Sequence, residues 1–156
     1  MSRFLFVCLG NICRSPAAEA IFHSQVGQLN LSQKISYDSA GTNGYHKGET
    51  ADPRMTQALH ARGYEPISLS RPVEKEDFDT FDYILAMDEQ NLADLMRLKP
   101  RDSKAHIELI CDMTTKHQSV NEIPDPYYGG PEGFDLVIDL LEDAVDGVIN
   151  KYVAIK

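Results

Sequence analysis

Apolar and polar positions alternate along this chain between short solid runs and longer stretches where apolar residues return every three or four positions. Arg3-Phe-Leu-Phe-Val7 is a short, partly aromatic apolar run that stops at a polar turn, and it predicts a buried strand. The turn, Cys8 to Arg14, contains Gly10 and Asn11 and leads into Ser15-Pro16. Ser suits a helix N-cap and Pro the first helical position. Ala17 to Ile21 is helix-compatible, and Ile21, Phe22 and Val26 supply an apolar side. Ile35 to Ser39 predicts a second strand, ended by Ala40-Gly41 and followed by a polar loop through Gly48. Asp52-Pro53 opens a helix with Met55, Ala58 and Leu59 on its inner face, stopped by Gly63 after Arg62. Phe81 to Met87 predicts a third strand, with a helix over Glu89 to Leu98 and Pro100 beyond it. Ile107 to Ile110 reads as a shorter fourth strand. The polar stretch Asp112 to Ser119 leads to Ile123 to Gly130, a loop by its Pro and Gly content. From Phe134 through Val137, Ile138, Leu141, Val145, Val148, Ile149 and Tyr152, three- and four-residue steps predict an amphipathic C-terminal helix.

Strands that alternate with helices predict one three-layer α/β domain over residues 1–156, with a parallel sheet. Ligands of such sheets bind beyond the carboxyl ends of strands, so the loop after the first strand is the first place to look. The chain shows neither repeats nor a linker long enough to divide it.

Composition narrows the setting. Hydrophobic residues make up 42% and charged residues 25% of 156, the balance of an ordinary globular protein. No apolar run approaches the roughly 20 residues that span a bilayer, and the apolar start soon turns polar at Gly10 and Asn11. A cytoplasmic location is expected. The net charge of -9 argues against nucleic acid, which needs a basic footprint, and requires any phosphate site to be built locally. Three cysteines, Cys8, Cys13 and Cys111, without a CxxC pair, imply neither a disulfide framework nor a zinc set. No metal and no other cofactor is expected.

The chemistry concentrates in Cys8-Leu-Gly-Asn-Ile-Cys-Arg-Ser15. A loop curling back onto a helix start points backbone N–H groups inward, and Gly10 and Asn11 tolerate the left-handed conformations such a curl needs. Inward amides and the positive helix end form an anion site, which Arg14 can close as a planar two-pronged clamp. The thiolate is the attacking form of cysteine, and thiols at helix starts ionise readily. Cys8 is therefore a candidate nucleophile toward phosphorus, against the plainer reading of a buried structural thiol. Ser15 can hydrogen-bond that sulfur or cap the helix. Breaking a phosphate ester also needs a proton for the leaving oxygen. Asp125, stiffened between Pro124 and Pro126, is the candidate acid, with Tyr127 and Tyr128 placed to wall the pocket.

These segments resemble the low-molecular-weight protein tyrosine phosphatases over nearly the whole chain. The likeness is carried by Val7 to Pro16, Ser39-Ala-Gly-Thr42, Asp52-Pro-Arg54, Asp82 to Asn91 and Asp125-Pro-Tyr127. The resemblance implies a four-stranded parallel sheet flanked by helices. It implies Cys8 as nucleophile, Arg14 as phosphate binder, Asp125 as general acid, Asn11 bracing the loop and Ser15 assisting the sulfur. Asp88 would support Arg14, cap the following helix, or both. Cys13 would form a reversible disulfide with Cys8, or else fill space as a small buried residue. Leu9 and Ile12 would flank the pocket and Tyr45 line its rim. Ile12 stands where relatives acting on phosphoarginine tend to carry Thr, so phosphotyrosine-bearing proteins or peptides are the expected partners and inorganic phosphate the product. A monomer, at most weakly self-associating, is expected, without nucleic-acid or membrane partners. One departure is Ser68, where animal members often carry a His that contacts the loop Asn; the smaller Ser leaves less to hold Asn11.

Overall fold

In the computed structural model, which describes residues 2–127 and 129–153, four parallel strands run in the order β2-β1-β3-β4. They are β1 (Ser2–Cys8), β2 (Ile35–Gly41), β3 (Tyr83–Ala86) and β4 (His106–Leu109). Strand β1 lies inside the sheet, which explains its unbroken apolar run: strands covered on both faces are apolar throughout. Phe4, Phe6 and Cys8 enter one core, shared with Ile21 and Phe22 of α1 (Arg14–Gln28) and with Phe134, Ile138 and Val145 of α5 (Pro131–Val148). Leu5 and Val7 enter the other, with Phe78, Ile84 and Leu95. Two shorter helices, α2 (Pro53–His60) and α4 (Glu89–Leu98), have N-caps made by Asp52 and Asp88. No helix among the described residues is long and apolar enough to cross a membrane.

Several boundaries differ from expectation. The first helix begins at Arg14, with Cys13 as its N-cap, so Ser15 is not the cap and Pro16 sits third rather than first. That position is still free for Pro, because the opening N–H groups of a helix have no partner within it. Of the two residues expected to turn left-handed in the first loop, only Asn11 does so (φ 57°). Phe81 caps a four-residue helix, α3 (Asp77–Thr80), rather than opening β3. Ile110 belongs to a 3₁₀ turn (Ile110–Met113) after β4, and α5 begins three residues before Phe134 and ends in a π turn.

The strand order makes the chain leave β1 toward β2 on one side and β3 on the other. Crevices of ligand-binding sheets open at such reversals, and this one opens at Cys8, the last residue of β1. Gly41, beside it, admits no side chain: a Cβ there would stand 2.6 Å from the Leu9 carbonyl oxygen. This close approach lets Thr42 and Asn43 donate N–H to the carbonyls of Cys8 and Leu9, both at 2.9 Å, and hold the loop.

Candidate active site

The Cys8 to Arg14 loop closes into a cup with the sulfur at its floor. Cys8 Sγ accepts the Asn11 N–H at 3.3 Å and lies 3.1 Å from Ser15 Oγ. The neighbours narrow the roles in that second contact. Arg71 N–H donates to Asn11 Oδ1 at 3.0 Å, so the Asn11 amide must turn its NH₂ toward Ser15, where Nδ2 donates to Oγ at 2.8 Å. The Ser15 hydroxyl proton then has two acceptors in reach, the Cys8 sulfur and the more distant Ala40 carbonyl at 3.4 Å. Ser15 thus touches the sulfur and does not cap the helix.

The brace on Asn11 is therefore backbone. Ser68 does not reach Asn11; its hydroxyl donates to Glu19 Oε2 at 2.7 Å. The loop Asn is held from residue 71 instead, and an N–H fixed in the chain holds the amide without help from Ser68. Arg71 is itself clamped, with Nε on Asp38 and the remaining guanidinium nitrogens on Asp77, each at 3.0 Å. Glu19 lies behind the same wall, 1% exposed, also accepting from Ser39 Oγ at 2.7 Å. Burial pushes its carboxyl up to about 7, and Asp38 adds to this, against the hydrogen bonds from Ser39 and Ser68 and the charge of Arg71.

Arg14 joins the cup to its opposite wall. Its guanidinium is 3% exposed, donates to Asp88 Oδ2 at 2.6 Å and to the Ile123 carbonyl at 3.2 Å, and stands 3.6 Å from Asp125 Oδ2. Burial works against its charge, but the Cys8 sulfur and Asp88, with Asp125, outweigh it and raise its pKa. Asp88 fulfils both of its proposed parts: one oxygen holds Arg14 while the other accepts the Asn91 N–H in a capping box. Ile123 N–H donates to the Met87 carbonyl at 2.8 Å, which ties the Asp125 loop to the end of β3. Asp125 is half-exposed and curls over its own backbone, Oδ1 accepting the Tyr127 N–H at 3.0 Å.

Cys8, Leu9, Gly10, Ile12, Cys13, Arg14, Tyr45, Asp125 and Tyr127 all line one cleft of about 360 Å³. Asn11 and Ser15 lie beneath it; Tyr128 falls outside the described residues. The Cys13 thiol is pushed far up, first by burial and then by Asp52 and the Cys8 sulfur. Two residues of the cleft wall, and a third that backs it, escaped sequence reasoning. Asn43 and His46 line it, and His46 meets Tyr45 edge-on at 4.9 Å between ring centres. Arg54 lies over the Tyr127 ring at 5.1 Å, backed by Asp52 at 3.0 Å. The Asp52-Pro-Arg54 run was the available signal; only the fold shows that its Arg props a tyrosine.

The sequence model of one family, described as low molecular weight phosphotyrosine protein phosphatase, matches residues 3–154. The chain is 46% identical over 135 residues to a human low molecular weight phosphotyrosine protein phosphatase, covering 85% of this chain and 84% of that one. A crystal structure of a protein tyrosine phosphatase from Entamoeba histolytica superposes with TM-score 0.93 at 48% identity, covering 97% of this chain and 96% of that one. A structure described as a Drosophila arginine phosphatase superposes with TM-score 0.91 at 32% identity over the full length of both.

Proposed function

We propose a mechanism that proceeds from one premise: the chain belongs to the low molecular weight phosphotyrosine protein phosphatase family, and is a phosphoric monoester hydrolase. In our reading, Cys8 Sγ attacks the phosphorus of a phosphotyrosine as its thiolate. The S–P bond forms, the bond from phosphorus to the phenolic oxygen breaks, and protonated Asp125 gives that oxygen its proton. Asp125, now ionised, takes a proton from water as the water oxygen attacks phosphorus. The S–P bond breaks and inorganic phosphate leaves. The loop amides and Arg14 hold the three equatorial oxygens through both steps. The Ser15 hydroxyl donates to sulfur and stabilises it as the group that departs in the second step.

The observation that carries this reading is the position of Arg14, buried, beside the Cys8 sulfur in one cleft and 3.6 Å from Asp125. Nucleophile, oxyanion clamp and acid thus address the same small volume. Ile12 at the pocket wall supports a flat aromatic ester over phosphoarginine, the alternative that the Drosophila neighbour raises. We place the reaction in the cytoplasm, on phosphotyrosine-bearing proteins or peptides, by a monomer; the three free cysteines fit that setting. Cys8 and Cys13 share the cleft, so oxidation to a disulfide is the expected reversible off-state.

The Cys8→Ser variant is expected to fold, to bind phosphate, and to turn over neither para-nitrophenyl phosphate nor phosphotyrosine. Wild-type protein should hydrolyse phosphotyrosine ahead of phosphoserine and phosphoarginine. Turnover by the variant at the wild-type rate would remove Cys8 from its assigned role.

A further inference from the structure

A second groove of about 370 Å³ begins where the cleft ends. Leu9 and Asn43 line both, so the two share one wall. Beyond them the groove runs past Thr42 to Asp94, Arg97 and Leu98 at the end of α4. Leu9 is 45% and Leu98 49% exposed, so two large apolar side chains face solvent beside a site that otherwise handles charge. Resting on the reading above, we propose that this groove seats the substrate polypeptide next to its phosphotyrosine, with an apolar residue one or two positions away lying on Leu9 and Leu98.

The argument is one of continuity. A phosphotyrosine whose phosphate lies in the cup sends its ring up the cleft and its backbone out at the rim. One side of that rim is occupied by Tyr45, His46 and Tyr127, packed on one another and propped by Arg54. Leu9 and Asn43 lead from that cleft into the groove, which offers the flanking chain a surface at once. An extended chain advances about 3.3 Å per residue, so a groove that adjoins the cleft is met first by the neighbours of the phosphotyrosine. The ion pair at the groove edge leaves no net charge to attract a strongly charged flank: Arg97 pairs with Asp94, which also accepts from Gln90 Nε2 at 3.0 Å. The large side chains left to be covered are those of Leu9 and Leu98, beside the smaller polar Thr42 and Asn43.

The test compares two phosphotyrosine peptides, alike except for Leu or Ser beside the phosphotyrosine, with para-nitrophenyl phosphate as a reference that fills only the cleft. Wild-type protein should favour the Leu peptide, and Leu98→Ser should erase about tenfold of that preference in kcat/KM relative to the reference. Size-exclusion chromatography of both proteins accompanies the kinetics. Equal use of both peptides by wild-type protein that hydrolyses the reference would overturn the groove and leave the phosphatase reading intact. Failure on the reference itself would overturn that reading first. Loss of a dimer in Leu98→Ser, with peptide preference unchanged, would assign the groove to a second copy of the chain and overturn the proposal.

Discussion

The loop that carries Cys8 and the loop that carries Asp125 meet at Arg14, yet they are built in opposite ways. Cys8, Asn11 and Ser15 are buried and hydrogen-bonded to one another, and the brace on Asn11 comes from a residue 60 positions away. Asp125 is 43% exposed, held by its own turn to Tyr127 and a long contact to Arg14. The difference follows from what each half is asked to do. Stabilising three phosphoryl oxygens requires donors already in place when charge develops. Moving a proton requires a group that meets the ester oxygen first and water afterwards. A buried, fully paired Asp125 would have no free oxygen for either.

Apart from loss of the nucleophile itself, the largest effect should come from the exposed half. Asp125→Ala is expected to lower kcat/KM about 10²–10⁴-fold on phosphotyrosine, whose phenolate needs a proton to leave. The loss should shrink on para-nitrophenyl phosphate, whose leaving group needs little help. A series of aryl phosphates of graded leaving-group acidity measures this. A flat loss across the series would break the division of labour.

The buried half should fail differently. Asn11→Ala keeps a β-carbon in the left-handed region, where it costs about 1–2 kcal/mol, but loses the polar side chain that lets Asn adopt that region. It also strands the Arg71 N–H and releases the Ser15 hydroxyl, at about 1 kcal/mol for each bond lost. Turnover should drop roughly ten- to a hundredfold on every leaving group alike, because the oxyanion donors and the sulfur shift together. Asn11→Gly restores the backbone freedom but not the two side-chain bonds, and should recover about 1 kcal/mol of the lost stability in urea unfolding. A leaving-group dependence like that of Asp125→Ala would show that the two loops do not act separately.

The same contrast explains what could be read without coordinates. Cys8, Arg14 and Ser15 lie within one stretch of eight residues, where the strand, the turn and the helix are all local. Asp125 was found through its prolines. The strands and the longer helices followed from apolar periodicity, and so did the parallel sheet. What stayed hidden depends on contacts distant in sequence. Arg71 gave no local sign that its backbone meets Asn11, and Ser68 looked like the place to seek that brace. Glu19 sits among alanines in a helix, and nothing in that run signalled its burial. Asp143 in α5 fell outside the apolar positions named for that helix, yet it is buried and accepts the N–H groups of Thr115, Lys116 and His117. Burial would raise its carboxyl, but those bonds hold it down at about 2. This carboxylate organises the Asp112 to Ser119 stretch, which periodicity left blank because its order comes from a helix that follows it in the chain.

Glu19 gives the smallest effect on turnover, and it probes the back wall of the rigid half. Its carboxyl is raised from 4.5 to about 7, burial being the first cause. Below the unfolded value both states hold the proton, and the full stability of the buried neutral group is present. As pH rises through the folded value the unfolded chain is already ionised and the folded one must follow, so stability is lost by on the order of 3 kcal/mol. Glu19→Gln keeps the shape and stays neutral. Urea unfolding at about pH 5 and about pH 8 should therefore show the variant losing less stability than wild type over that interval. Its turnover at the lower pH should stay close to wild type, since a neutral group between Ser39 and Ser68 leaves the Arg71 brace on Asn11 in place. Identical pH dependence in the two proteins would mean that Glu19 is ionised in the fold throughout. The wall behind the cup would then hold three carboxylates, those of Glu19, Asp38 and Asp77, around the single charge of Arg71.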